Sequence, residues 1–138
     1  MAAAPSTKKP SKVITVVTIM LLLLACCSYG DGTIRVSCNA TWYNYDDPFS
    51  VSKGCMMQEV LTNTPRASLH DIYRSCTYQG VTAYGHAMCS PALDSHLCEN
   101  CLSYMVQQMA TVCVHSVVGM GVYEDKCNVR FQNYAFTD

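Results

Sequence analysis

Cys89-Ser90-Pro91-Ala92-Leu93-Asp94-Ser95-His96-Leu97-Cys98-Glu99-Asn100-Cys101 is the stretch on which the reading of this sequence turns. Asp94 and Ser95 suit a helix start, because a short oxygen-bearing side chain there accepts from an otherwise unpaired N–H of the first turn. Leu97, Cys98, Cys101, Leu102, Met105, Val106, Met109, Val112 and Cys113 then follow the three-four spacing of one buried helical face. Cys98 and Cys101 stand one turn apart on that face, so each can enter a different bridge. Two other chemistries compete for the same residues. A redox pair at Cys98 and Cys101 needs a thiol kept reduced at a helix start after a strand. A zinc site built from Cys89, His96, Cys98 and Cys101 has neither a second C-x2-C nor paired histidines at ligand spacing.

Outward from this stretch, the cysteines set the class. The chain has ten, and setting aside Cys26 and Cys27 leaves eight: Cys38, Cys55, Cys76, Cys89, Cys98, Cys101, Cys113 and Cys127. Those two are set aside because residues 1–30 read as a secretory signal peptide. Lys8, Lys9 and Lys12 form a positive start, an apolar run from Val13 to Ala25 follows, and small residues surround Ser28-Tyr29-Gly30. The run falls short of the roughly 18 to 20 residues that cross a hydrocarbon core, so no stable membrane insertion is expected. Leu23-Leu24-Ala25-Cys26 also fits a lipoprotein cleavage site, which would leave Cys26 lipidated. An even set of cysteines in a small exported domain, here residues 31–138, reads as a disulfide framework, although eight cysteines allow 105 pairings.

Charge excludes one class of partner. Beyond the leader, Arg35, Lys53, Arg66, Arg74, Lys126 and Arg130 stand against ten carboxylates, with no basic stripe for a nucleic-acid backbone.

Along the domain, Thr33 to Cys38 alternates and is rich in β-branched residues, which predicts a first strand with Ile34, Val36 and Cys38 on one face. Thr41-Trp42-Tyr43-Asn44-Tyr45-Asp46-Asp47-Pro48 is a loop by composition. Phe49, Met56 and Val60, flanked by Cys55, Met57 and Leu61, are spaced for a helix ending by Asn63-Thr64-Pro65. Residues 66–80 read as a connection with one short turn. Val81 to Cys89 reads as a strand passing close to a helix, and Val117–Tyr123 and Cys127–Phe136 as two strands joined at Glu124-Asp125-Lys126. The sum is an α+β layer fold, an antiparallel sheet of about five strands with two helices packed on one face.

The C-x8-C-x2-C spacing resembles the ginkbilobin-like, cysteine-rich secretory repeat family of land plants. The resemblance extends to Cys38-Asn39, to Pro48-Phe49 and Asn63-Thr64 around the first helix, to Thr82-Ala83-Tyr84-Gly85 before Cys89, and to Cys101-Leu102, Cys113 and Cys127. It implies bridges Cys38 with Cys113, Cys89 with Cys98 and Cys101 with Cys127. Cys55 and Cys76 fall outside the family pattern and are left to each other. It also implies a secreted, apoplastic protein of the defence or antifungal kind, acting by binding and not as an enzyme, with no cofactor and no metal.

In antifungal members the resemblance implies a mannose site formed by an Asn after the first cysteine, an Arg in the penultimate strand and a Glu in the last. Here the three positions are Asn39, Gly121 and Gln132, so the site has diverged. Losing both charged groups removes hydrogen bonds roughly twice as strong as neutral ones. Asn39-Ala40-Thr41 is in addition a glycosylation sequon, and a glycan on Asn39 would cover the same place.

The loop Trp42 to Tyr45 is a further candidate, because aromatic side chains give a large contact area at small entropy cost and stack on sugar rings. The plainer expectation is that Trp42 caps the core. His70, His86, His96 and His115 lie far apart beside no evident nucleophile, and His86 reads as a packing residue on a strand. Two partners therefore remain in view. One is a carbohydrate or cell-wall glycan; the other is an extracellular protein, bound as by the ectodomains of cysteine-rich plant receptors.

Overall fold

The computed structural model describes residues 32–137, so the expected signal peptide lies outside the described residues. Five strands and two helices follow in the order β1 (Ile34–Cys38), α1 (Pro48–Asn63), a 3-10 turn (Thr64–Arg66), β2 (Asp71–Tyr78), β3 (Val81–Cys89), α2 (Ser95–Val112), β4 (Gly119–Tyr123) and β5 (Cys127–Gln132). The strands form one antiparallel sheet in the order β1-β4-β5-β3-β2.

Both helices begin as their sequences dictate. The Asp94 carboxylate accepts from the Leu97 N–H at 2.8 Å, and Asp47 accepts from Phe49 N–H at 2.8 Å ahead of α1, whose first residue is Pro48. At the far end of α1, the Thr64 hydroxyl donates back to the Val60 carbonyl at 2.6 Å.

Both helices lie on the same face of the sheet. Gly85, Phe131 and Gly119 form one cross-strand row. A Cβ on Gly85 would run into Met56 of α1, and one on Gly119 into Phe131 and Cys113. Bare backbone at these points lets the helices settle onto the strands. Met56, Val60, Leu102, Met105, Met109, Val129 and Phe131 fill the layer between. Ser52, a polar residue in this apolar setting, is fully buried and satisfied: its hydroxyl donates to the Val81 carbonyl at 2.7 Å and accepts from the Tyr78 N–H at 3.0 Å. It thereby ties α1 to both strands of the β2–β3 hairpin beside its turn.

The strand β2 replaces the expected connection over residues 66–80. As the edge of the sheet it exposes most of its length, and only Ile72 and Cys76 are half-buried, so the apolar alternation of a strand is nearly absent. Its hairpin turn is Gln79-Gly80, with φ of +48° and +80°. Two successive positive φ values match the turn that suits the twist of paired strands. Glutamine in place of the usual Asn or Asp hid that signal. Smaller differences concern element ends: β4 and β5 are shorter than expected, and Leu97 and Val112 of α2 are exposed, not buried.

Four disulfides join Cys38 to Cys113, Cys55 to Cys76, Cys89 to Cys98 and Cys101 to Cys127; three are those the resemblance implied, and the fourth joins the two cysteines outside the family pattern. Cys98 and Cys101 thus enter separate bridges, which overturns both the redox and the zinc readings of that turn. Closing the 75-residue separation of Cys38 and Cys113 stabilises the fold by roughly 4 kcal/mol in the chain-entropy account. Among the described residues no helix is long and apolar enough to cross a membrane.

Candidate functional site

The aromatic loop between β1 and α1 is held flat against the segment that follows α2. Asn39 N–H donates to the Val118 carbonyl at 3.1 Å, Val117 N–H to Thr41 at 3.1 Å and Tyr43 N–H to His115 at 2.9 Å, with a bridge between Trp42 and Ser116. Extended backbone turns alternate side chains to opposite sides. Tyr43 turns inward, edge-on to Phe49 at 5.4 Å, and its hydroxyl donates to the Val114 carbonyl at 3.3 Å. Burial, then the nearby Asp47 and Tyr45, push the Tyr43 hydroxyl above its ordinary pKa.

Trp42 turns the other way and is 73% exposed, while Tyr45 is 79% exposed and rests edge-on against His115 at 4.3 Å. The expectation that Trp42 caps the core is therefore corrected. Tyr43 does that work, and the neighbouring residues are left on display. Val114 at 50% and Val112 at 59% exposure are further apolar residues on display that the sequence did not single out as a surface. Val112 and Val114 carry no signal in the sequence, because their exposure follows from where α2 ends against β1.

The three positions of the expected sugar site do not converge. Asn39 is half-buried, and its side-chain oxygen accepts from the Val118 N–H at 3.2 Å. Gly121 pairs with Val36 and Val129 and faces the helices, where a Cβ would lie 2.8 Å from Met105 Cε and 2.8 Å from Met109 Sδ. Gln132 is three residues beyond Val129 on the same strand and faces the opposite side of the sheet. Its side chain is buried against Arg130 and Tyr134, and with its oxygen set toward the guanidinium its nitrogen donates to the Tyr134 hydroxyl at 2.7 Å.

On that open face of the sheet His86 is packed, as expected. Its ring stacks on Tyr73 with centroids 4.0 Å apart, and Nε2 lies 2.7 Å from the Asp71 carboxylate. Phe136 folds back over the sheet, covering the Arg130 guanidinium at 4.4 Å. Among the described residues no group of three or more His, Cys, Asp or Glu is placed to hold a metal ion.

A five-stranded antiparallel sheet, two helices on one face and four bridges define a small cysteine-rich α+β domain, presenting aromatic side chains beside its first bridge. The chain belongs to the family described as salt stress response/antifungal, which matches residues 33–134. The antifungal protein ginkbilobin-2 of Ginkgo biloba is 25% identical, over 62% of this chain and 77% of that protein. Among solved structures, the tandem DUF26 ectodomain of the cysteine-rich receptor-like protein PDLP5 of Arabidopsis thaliana superposes with a TM-score of 0.67 at 23% identity, covering 77% of this chain and 52% of that one. The corresponding ectodomain of PDLP8 from the same plant gives 0.67 at 20%, covering 74% and 49%. The chain thus spans about half the length of these tandem ectodomains.

Proposed function

We propose that this domain is an extracellular protein-interaction module that works by binding, without catalysis, and that it meets its partner through the loop Trp42 to Tyr45. The observation that carries the reading is the 73% exposure of Trp42 and 79% exposure of Tyr45 on a loop whose backbone is already fixed by hydrogen bonds to Val117, His115 and Val118. Large aromatic side chains dominate binding energy at protein interfaces, and a loop ordered in advance costs less to immobilise on contact. The likeness to ectodomains of receptor-like proteins agrees with a surface meant for other proteins.

A second reading keeps a carbohydrate or cell-wall glycan as the ligand, stacked on the exposed faces of Trp42 and Tyr45. It no longer draws support from Asn39, Gly121 and Gln132, which face different ways. The experiment is a pair of arrays, one of glycans and one of plant extracellular ectodomains, probed with the secreted, oxidised protein and with Trp42→Ala. The interaction module gives silence on glycans, with or without removal of any glycan at Asn39. It binds at least one ectodomain about tenfold or more weakly once Trp42 is truncated, with unchanged thermal stability. Binding to mannose-type glycans would overturn it in favour of the lectin.

A further inference from the structure

Behind the aromatic loop, a cleft of about 280 Å3 opens between α1 and α2, walled by Tyr43, Met57, Val106, Met109 and Phe131, with Lys53 and Gly54 at its edge. This volume lies just below that of most ligand pockets, which run from roughly 300 to 1,000 Å3. Three features of the cleft are unusual together.

The first is Lys53 itself. Its ammonium donates to the Tyr43 hydroxyl at 3.3 Å and to the Cys113 carbonyl at 3.3 Å, and it lies 4.2 Å from the centre of the Phe131 ring. That accounts for two of its three N–H groups. Second, no carboxylate lies within salt-bridge distance of it among the described residues, so a half-buried positive charge stands unneutralised at an apolar opening. Burial lowers its pKa to about 8, which still leaves it charged at neutral pH.

The third is Gly54. Glycine is the weakest helix former after proline, and it is tolerated inside helices where packing or backbone geometry demands it. Neither applies here: a Cβ on Gly54 would meet nothing within 4 Å, and its φ is not among the positive values. What the missing side chain does leave is an open rim next to the Lys53 ammonium.

We propose that this cleft binds a small amphiphilic carboxylate of the fatty-acid kind, its head paired with Lys53 and its chain laid over Met57, Val106 and Met109. The charge selects the head group, and the apolar walls select the tail.

The test is calorimetric titration of the oxidised protein with monomeric decanoate and, separately, decanol, repeated on Gly54→Leu and Lys53→Met. The expected result is saturable decanoate binding, about tenfold or more weaker for decanol because the charge-assisted hydrogen bond is lost. Gly54→Leu should abolish binding while keeping or raising the melting temperature, since leucine is the better helix former. Lys53→Met should reduce decanoate to the affinity of decanol. Absence of decanoate binding by the wild type, equal affinity for the two ligands, or full binding by a folded Gly54→Leu would each overturn the proposal. If Lys53→Met does not fold, the decanol comparison and Gly54→Leu decide alone.

Discussion

Gly121 of β4 and Met109 of α2 occupy the two sides of one contact: a single added carbon on the glycine would lie 2.8 Å from the methionine sulfur. The position that the resemblance assigned to the arginine of a mannose site therefore points into the core of this chain. Gly121→Arg is expected to destabilise the domain by about 3 kcal/mol or more, from overpacking and from burying a charge, and to confer no affinity for mannose. Denaturant unfolding and mannose titration of the variant check both halves.

The side-chain oxygen of Asn39 is bonded to the Val118 N–H, while no hydrogen bond engages its nitrogen among the described residues. The nitrogen is the atom to which a glycan is joined, so modification and the structural bond are compatible. Secreted from a eukaryotic host, the wild type is expected to carry a glycan that both Asn39→Ala and Thr41→Ala lack, read by mass before and after enzymatic deglycosylation. Only Asn39→Ala should also lose about 1 kcal/mol of stability, measured on deglycosylated proteins, because Thr41 contributes its backbone carbonyl alone.

Stability should rise with pH through the range in which Lys53 titrates. Its pKa is about 8 in the folded protein against 10.5 ordinarily, so between those values the unfolded chain binds more protons and folding gains as protons are removed. The penalty of the buried charge is fully present below pH 8. For a group this exposed to solvent the gain is on the order of 1 kcal/mol. The Tyr43 hydroxyl, with its pKa raised in the folded state, acts in the opposite sense above its ordinary value of 10, which confines the clean window to pH 8–10. Denaturant unfolding across that window should show the rise in wild type and a flatter profile in Lys53→Met.

Sequence alone determined what depends on neighbours along the chain. Asp94 announces the start of α2, the three-four spacing of Met105 and Met109 marks a buried face, and eight cysteines beyond a leader-like segment mark the framework class. Composition excluded nucleic acid, and the spacing of Cys89, Cys98 and Cys101 carried the resemblance. Tertiary structure decided what depends on elements distant in sequence. The edge strand β2 exists because it pairs with β3 and is tied through Cys76 to Cys55, although its own residues carry almost no apolar pattern. Gly121 faces the helices and Gln132 the opposite side of the sheet because of the register of β4 on β5, and no local signal fixes a register. Trp42 is displayed and Tyr43 half-buried because the loop docks on residues 115–118, far along the chain. The cleft beside Lys53 likewise forms only where α1 meets the end of α2. A side chain's chemistry is written in the sequence, whereas its exposure is set by what the rest of the chain packs against it.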